Sequence, residues 1–194
     1  PHVEQIQDMV ENALMERGYF QVARNYIRYR SEHEQQREAL KAIANRLPDA
    51  FLLPILKEAQ RQYPQGEYEM RFLQHKFAAY SSESMTGQER EGQLVRAALE
   101  LTSADAPHWE YIAARLLCAL ILRDIDETRR REGTEDPYTR LQRFEKEGYL
   151  GSYMLEGYGP EEVASLFAYI RPARDALLTY SGLDMLRKRY LRPG

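Results

Sequence analysis

Apolar residues recur along this chain at intervals of three and four, the spacing of helices that turn one face to a core. Val3, Ile6, Val10 and Leu14 form the first such stripe. It stops at Gly18, a residue suited to the left-handed position that ends a helix. A second helix is predicted over Tyr19–Arg37, carrying Val22, Ala23, Tyr26, Ile27 and Tyr29 before it turns polar at "SEHEQQRE". Pro48, Pro54 and Pro64 punctuate the next stretch, which reads as a linker holding one helix, Pro54–Tyr63. Further helices are predicted over Tyr68–Tyr80, Thr86–Leu101, Pro107–Arg131, Pro137–Gly148, Pro160–Ile170, Pro172–Tyr180 and Leu183–Tyr190. No strand-like alternation lasts more than a few residues. The predicted fold class is all-α, built of helical hairpins and a bundle.

The segment "LTSADAPHWEYIAARLLCALILRDIDE" holds the only tryptophan, Trp109, and the only cysteine, Cys118. Ser103 and Asp105 are placed to cap a helix with Pro107 in its first turn. Trp109, Ile112, Ala113, Leu116, Leu120 and Ile121 make one apolar stripe, and Tyr111, Ala114, Cys118, Leu122 and Ile125 make a second. A helix apolar on two sides belongs inside a bundle. Cys118 is therefore expected to be packing, a small inert hydrophobe rather than a nucleophile or ligand. A reactive thiol needs a positive, partly open setting that lowers its pKa.

With 194 residues the chain has the length for one domain or two small ones. A formal net charge of −3 gives no global field for nucleic acid or an acidic membrane. A lone cysteine excludes an internal disulfide framework and suits a reducing, cytoplasmic compartment. No apolar run approaches the roughly 20 residues of a membrane span, and no signal peptide is evident. The chain opens Pro1-His2 and closes Pro193-Gly194, which reads as a piece of something longer.

Candidate chemistry is sparse. Histidines 2, 33, 75 and 108 fall in no metal-ligand spacing, so no metal site and no catalytic residue is assigned. The run "GYLGSYMLEGYGP" lacks the P-loop lysine, and its glycines read as helix-ending turns. The arginines of "RDIDETRRR" complement a helix C-terminus, with phosphate contact as the alternative. "YIRYR" has the residues to stack a base, yet also suits helix surface at a packing seam, which is the reading preferred. The residues alone describe a helical binding or regulatory module.

Longer blocks carry a resemblance. "LTSADAPHWEYIAARLL", then "YTRLQRFEKEGYLGSYMLEGYGPEEVASLFAYIRPARDALLTYSGLDMLRKRYL", resembles the N-terminal helical region of the class I ribonucleotide reductase large (α) subunit. The opening "VEQIQDMVENALMERGYFQVARNYIRYR" is similar to the second half of an ATP-cone, that family's allosteric nucleotide module. Residues 38–100 carry little of the likeness. The resemblance implies a parent that reduces ribonucleoside diphosphates, with a cysteine thiyl radical and two further cysteines housed in a ten-stranded α/β barrel. It implies ATP and dATP as effectors, a radical-generating small (β) subunit as partner, and a homo-oligomer in the full protein. Cys118 matches none of the catalytic cysteines, and the cone's nucleotide-binding β-hairpin is not in this sequence. This piece is accordingly expected to be inactive by itself. Arg115 and Arg123 remain as nucleotide-binding candidates. The competing hypothesis is a stand-alone helical interaction module that has borrowed the fold.

An internal echo adds one expectation. "DMVENALMERGYFQVARNYIRYR" and "QLVRAALELTSADAPHWEYIAARLLCALILR" share an amphipathic helix, a turn, an aromatic and then Ala-Arg, at Ala23-Arg24 and Ala114-Arg115. In single-cone members of the family, the segment resembling "LTSADAPHWEYIAARLL" is itself the last helix of the cone. The expected division is therefore 1–37, the C-terminal half of a cone-like module; 38–66, a linker with one helix; 67–131, hairpins resembling a degenerate second cone; and 132–194, the reductase N-terminal helical domain.

Overall fold

The computed structural model of the chain describes residues 2–63, 69–133 and 135–190. All regular structure among them is helical, as expected. The helices are α1 (Val3–Glu16), α2 (Phe20–Ala44), α3 (Leu53–Gln62), α4 (Met70–Tyr80), α5 (Gly87–Leu99) and α6 (Trp109–Glu132). They continue with α7 (Pro137–Lys146), α8 (Tyr153–Glu156), α9 (Pro160–Ala168), a 3-10 turn over Pro172–Leu177, and α10 (Tyr180–Arg189). Pro64 and Tyr68, at the edges of two expected elements, lie outside the described residues. Two compact units result, Pro1–Trp109 and Glu110–Gly194.

In the first unit, α1 ends as its glycine foretold. Gly18 takes φ +78°, its N–H bonds the Met15 carbonyl at 3.0 Å, and the Tyr19 N–H bonds the Leu14 carbonyl at 2.9 Å. These paired bonds satisfy carbonyls that a helix end leaves open. The chain then runs into α2, which lies along α1. Arg30 fastens the pair: its Nη1 donates to Asp8 Oδ1 at 2.6 Å and to Glu11 Oε1 at 2.8 Å. Those two hydrogen bonds hold the guanidinium protonated beyond its ordinary range.

Here the sequence expectation needs correction. No residue of α1 is buried, and Val3, Ile6 and Val10 stay 39–67% exposed. The best-covered positions are Gln7, Glu11 and Leu14, so of the apolar stripe only Leu14 is half-buried and the covered face is turned toward Arg30. α2 also runs to Ala44 instead of stopping at Arg37. Its polar middle is rich in good helix formers, and Ala39, Leu40 and Ile43 beyond it are buried, so tertiary contact carries the helix through.

α4 is the centre of this unit, packed on both α2 and α5. Met70, Leu73 and Phe77 of α4 are buried, as are Leu56 and Ala59 of α3 and Leu94, Val95, Ala97 and Ala98 of α5. Thr86 starts α5 with a reciprocal cap: its hydroxyl accepts from the Glu89 N–H at 3.2 Å, and Glu89 accepts from the Thr86 N–H at 2.7 Å. Gly87 follows because a Cβ there would meet Pro48 Cβ at 2.8 Å.

In the second unit, Asp136 caps α7 by accepting from the Tyr138 and Thr139 N–H groups, both at 3.0 Å, with Pro137 at the first helical position. α7 packs on α9 and ends as α1 does. Gly148 has φ +80°, its N–H bonds Glu145 O, the Tyr149 N–H bonds Phe144 O at 2.8 Å, and the two rings meet edge-on at 6.2 Å. Buried side chains are Ile112, Ala113, Ala114, Leu116 and Leu117 on α6, Val163 on α9 and Leu183 on α10.

Three further boundaries differ from expectation. The Ser103 hydroxyl accepts from the Ala106 N–H at 3.1 Å, closing a turn of its own, so α6 begins at Trp109 and not at Pro107. Arg171, held extended before Pro172, and Thr179, which caps α10 through the Gly182 N–H at 3.2 Å, leave only a 3-10 turn between them. That same cap starts α10 at Tyr180, ahead of the expected Leu183.

Candidate functional site

Trp109 is 1% exposed, and Ile112, Ala113 and Leu116 of its stripe are buried. Leu120 and Ile121 are half-buried. The second stripe is less covered than predicted: Ala114 is buried, Tyr111, Cys118 and Ile125 are half-buried, and Leu122 is 48% exposed. Burial on α6 is thus concentrated in its first turns, and the helix emerges into solvent toward its arginine-rich end.

Cys118 is the point where this matters. Its thiol is half-buried, and desolvation, then the Asp175 carboxylate, pushes its pKa above the ordinary value. Both effects disfavour the thiolate, so the setting opposes nucleophilic use. Cys118 is expected to react with a neutral disulfide reagent at pH 7–8 several-fold more slowly than a free thiol peptide, with its rate still rising at higher pH. Labelling as fast as the peptide would refute this placement.

The two nucleotide-binding candidates lie on one helix. Arg115 and Arg123 are both half-buried on α6, eight positions and therefore about 12 Å apart along the axis. Each is already engaged within the chain. Arg24 and Arg28 are exposed on α2, where Arg28 Nη2 reaches Asn25 Oδ1 at 3.4 Å. Within "YIRYR", Arg30 is the clamp on α1 described above, and Tyr29 sits against His33 with ring centroids 4.1 Å apart. The packing reading of that motif therefore accounts for its second arginine.

Polar clusters elsewhere are structural. Tyr80 donates to Glu100, which also takes Arg96 Nε at 2.9 Å, while Lys76 bonds the Glu100 carbonyl at 3.0 Å. Together they tie the end of α4 to the end of α5. The hydrogen bonds from Tyr80 and then Arg96 hold the Glu100 carboxyl below its usual range. A shallow groove at the start of α9 is lined by Tyr158, Glu161, Glu162, Ser165 and Leu166. Glu162 is spent there, accepting the Gly159 N–H at 2.6 Å. Among the described residues no group of three or more His, Cys, Asp or Glu side chains is placed to hold a metal ion. Among the described residues no helix is long and apolar enough to cross a membrane.

What the sequence did not disclose is how much apolar surface stays open. On α1 and α2, Val3, Ile6, Met9, Val10, Phe20 and Val22 are exposed. On α9 and just after it, so are Leu166, Phe167, Tyr169 and Ile170. Periodicity marks such faces as apolar but cannot say whether anything in the same chain covers them. These uncovered faces call for a functional explanation.

The chain is also similar to known proteins. Residues 1–35 match the ATP cone domain. The chain is 35% identical over 191 residues to the ribonucleoside-diphosphate reductase subunit alpha of Treponema pallidum, a match spanning 98% of this chain and 22% of that protein. The resemblance to the ribonucleotide reductase large subunit stands. The subunit alpha of Enterobacteria phage T4 is 26% identical over 122 residues, covering 61% of this chain and 15% of the phage protein. Subunit alpha of reductase 1 from Escherichia coli is 30% identical over 101 residues, or 50% and 12% of the two chains. The chain thus spans about a fifth of the length of the Treponema relative and still less of the others.

Proposed function

We propose that this chain is the N-terminal, non-catalytic part of a ribonucleoside-diphosphate reductase large subunit, a protein that as a whole reduces ribonucleoside diphosphates to deoxyribonucleotides for DNA synthesis. The observation that carries this reading is the alignment of 98% of the chain with a fifth of one reductase alpha subunit. Residues 1–37 end an ATP-cone, 38–66 link onward, 67–131 form a cone-like scaffold without its nucleotide hairpin, and 132–194 begin the reductase helical domain. Its work is to couple a nucleotide-sensing cone to the catalytic barrel and to help set how large subunits assemble with one another and with the small subunit. The open apolar residues of α1 and α9 support that role, since a segment that docks on other parts of a protein presents such faces. The lone cysteine suits a cytoplasmic setting.

ATP and dATP are expected to bind this chain weakly or not at all. Phosphates are held best by backbone amides with a positioned cation, whereas Arg24 and Arg28 are exposed side chains on one helix flank and Arg115 and Arg123 are already engaged. Titration calorimetry with dATP checks this. Low-micromolar binding would overturn the reading of an incomplete cone and direct attention back to Arg115 and Arg123.

A further inference from the structure

We draw no further inference here: the strongest candidate, the exposed apolar patch of Leu166, Phe167, Tyr169 and Ile170 on and after α9, has nothing in the structure to show what covers it.

Discussion

Trp109→Ala is expected to destabilise the first unit by about 3–5 kcal/mol, the usual cost of removing a large buried ring. The indole is 1% exposed, and the same unit buries Phe77 and Leu73 on α4 and Leu94, Ala97 and Ala98 on α5. Domains of ordinary stability hold only about 5–15 kcal/mol in reserve. One substitution therefore removes a large share of it. As the chain's sole tryptophan, Trp109 also reports on itself. Native emission should be blue-shifted and should move red on unfolding together with the loss of helical circular dichroism. Emission already at the solvent-exposed maximum in the native protein would show that α6 begins outside the core.

The second large effect is an absence of turnover. With CDP, a reductant and a radical-loaded small subunit supplied, this polypeptide is expected to form no dCDP. The chemistry implied by the family resemblance uses a radical cysteine and two cysteines that deliver electrons. Here Cys118 stands alone, with its pKa raised by desolvation and Asp175. Chromatographic detection of dCDP above a control without protein would overturn the assignment of this segment as non-catalytic.

Most of the fold could be read from local chemistry. Gly18 and Gly148 end α1 and α7 because only a residue without a Cβ takes positive φ at little cost. Pro137 and Pro160 open α7 and α9 because the first helical position has no N–H bond to lose. What escaped was decided by partners. α2 continues past its polar middle because Ala39, Leu40 and Ile43 find cover. α1 turns Gln7, Glu11 and Leu14 inward because Arg30 reaches Asp8 and Glu11 from α2, a pairing 19 and 22 residues distant in sequence. Ser103 was expected as a cap and Thr179 was not, and the two hydroxyls do different things. One closes a turn on Ala106, and the other starts a helix three residues ahead of the apolar pattern. As for the candidate site, the sequence pattern placed Cys118 in packing, where the structure leaves it half-buried, and it left the arginines as single candidates. It had no means to see that the α1 stripe and the α9 face would remain open, because periodicity records which side is apolar and not what covers it.

If these residues are one part of a reductase large subunit, their reading frame belongs to a longer gene. Reading the gene beyond the codon for Gly194 tests it most directly. The expected result is an open frame that continues into an α/β barrel sequence bearing the paired cysteines and the radical cysteine that the family resemblance implies. A stop codon immediately after Gly194, or a continuation without such cysteines, would contradict it.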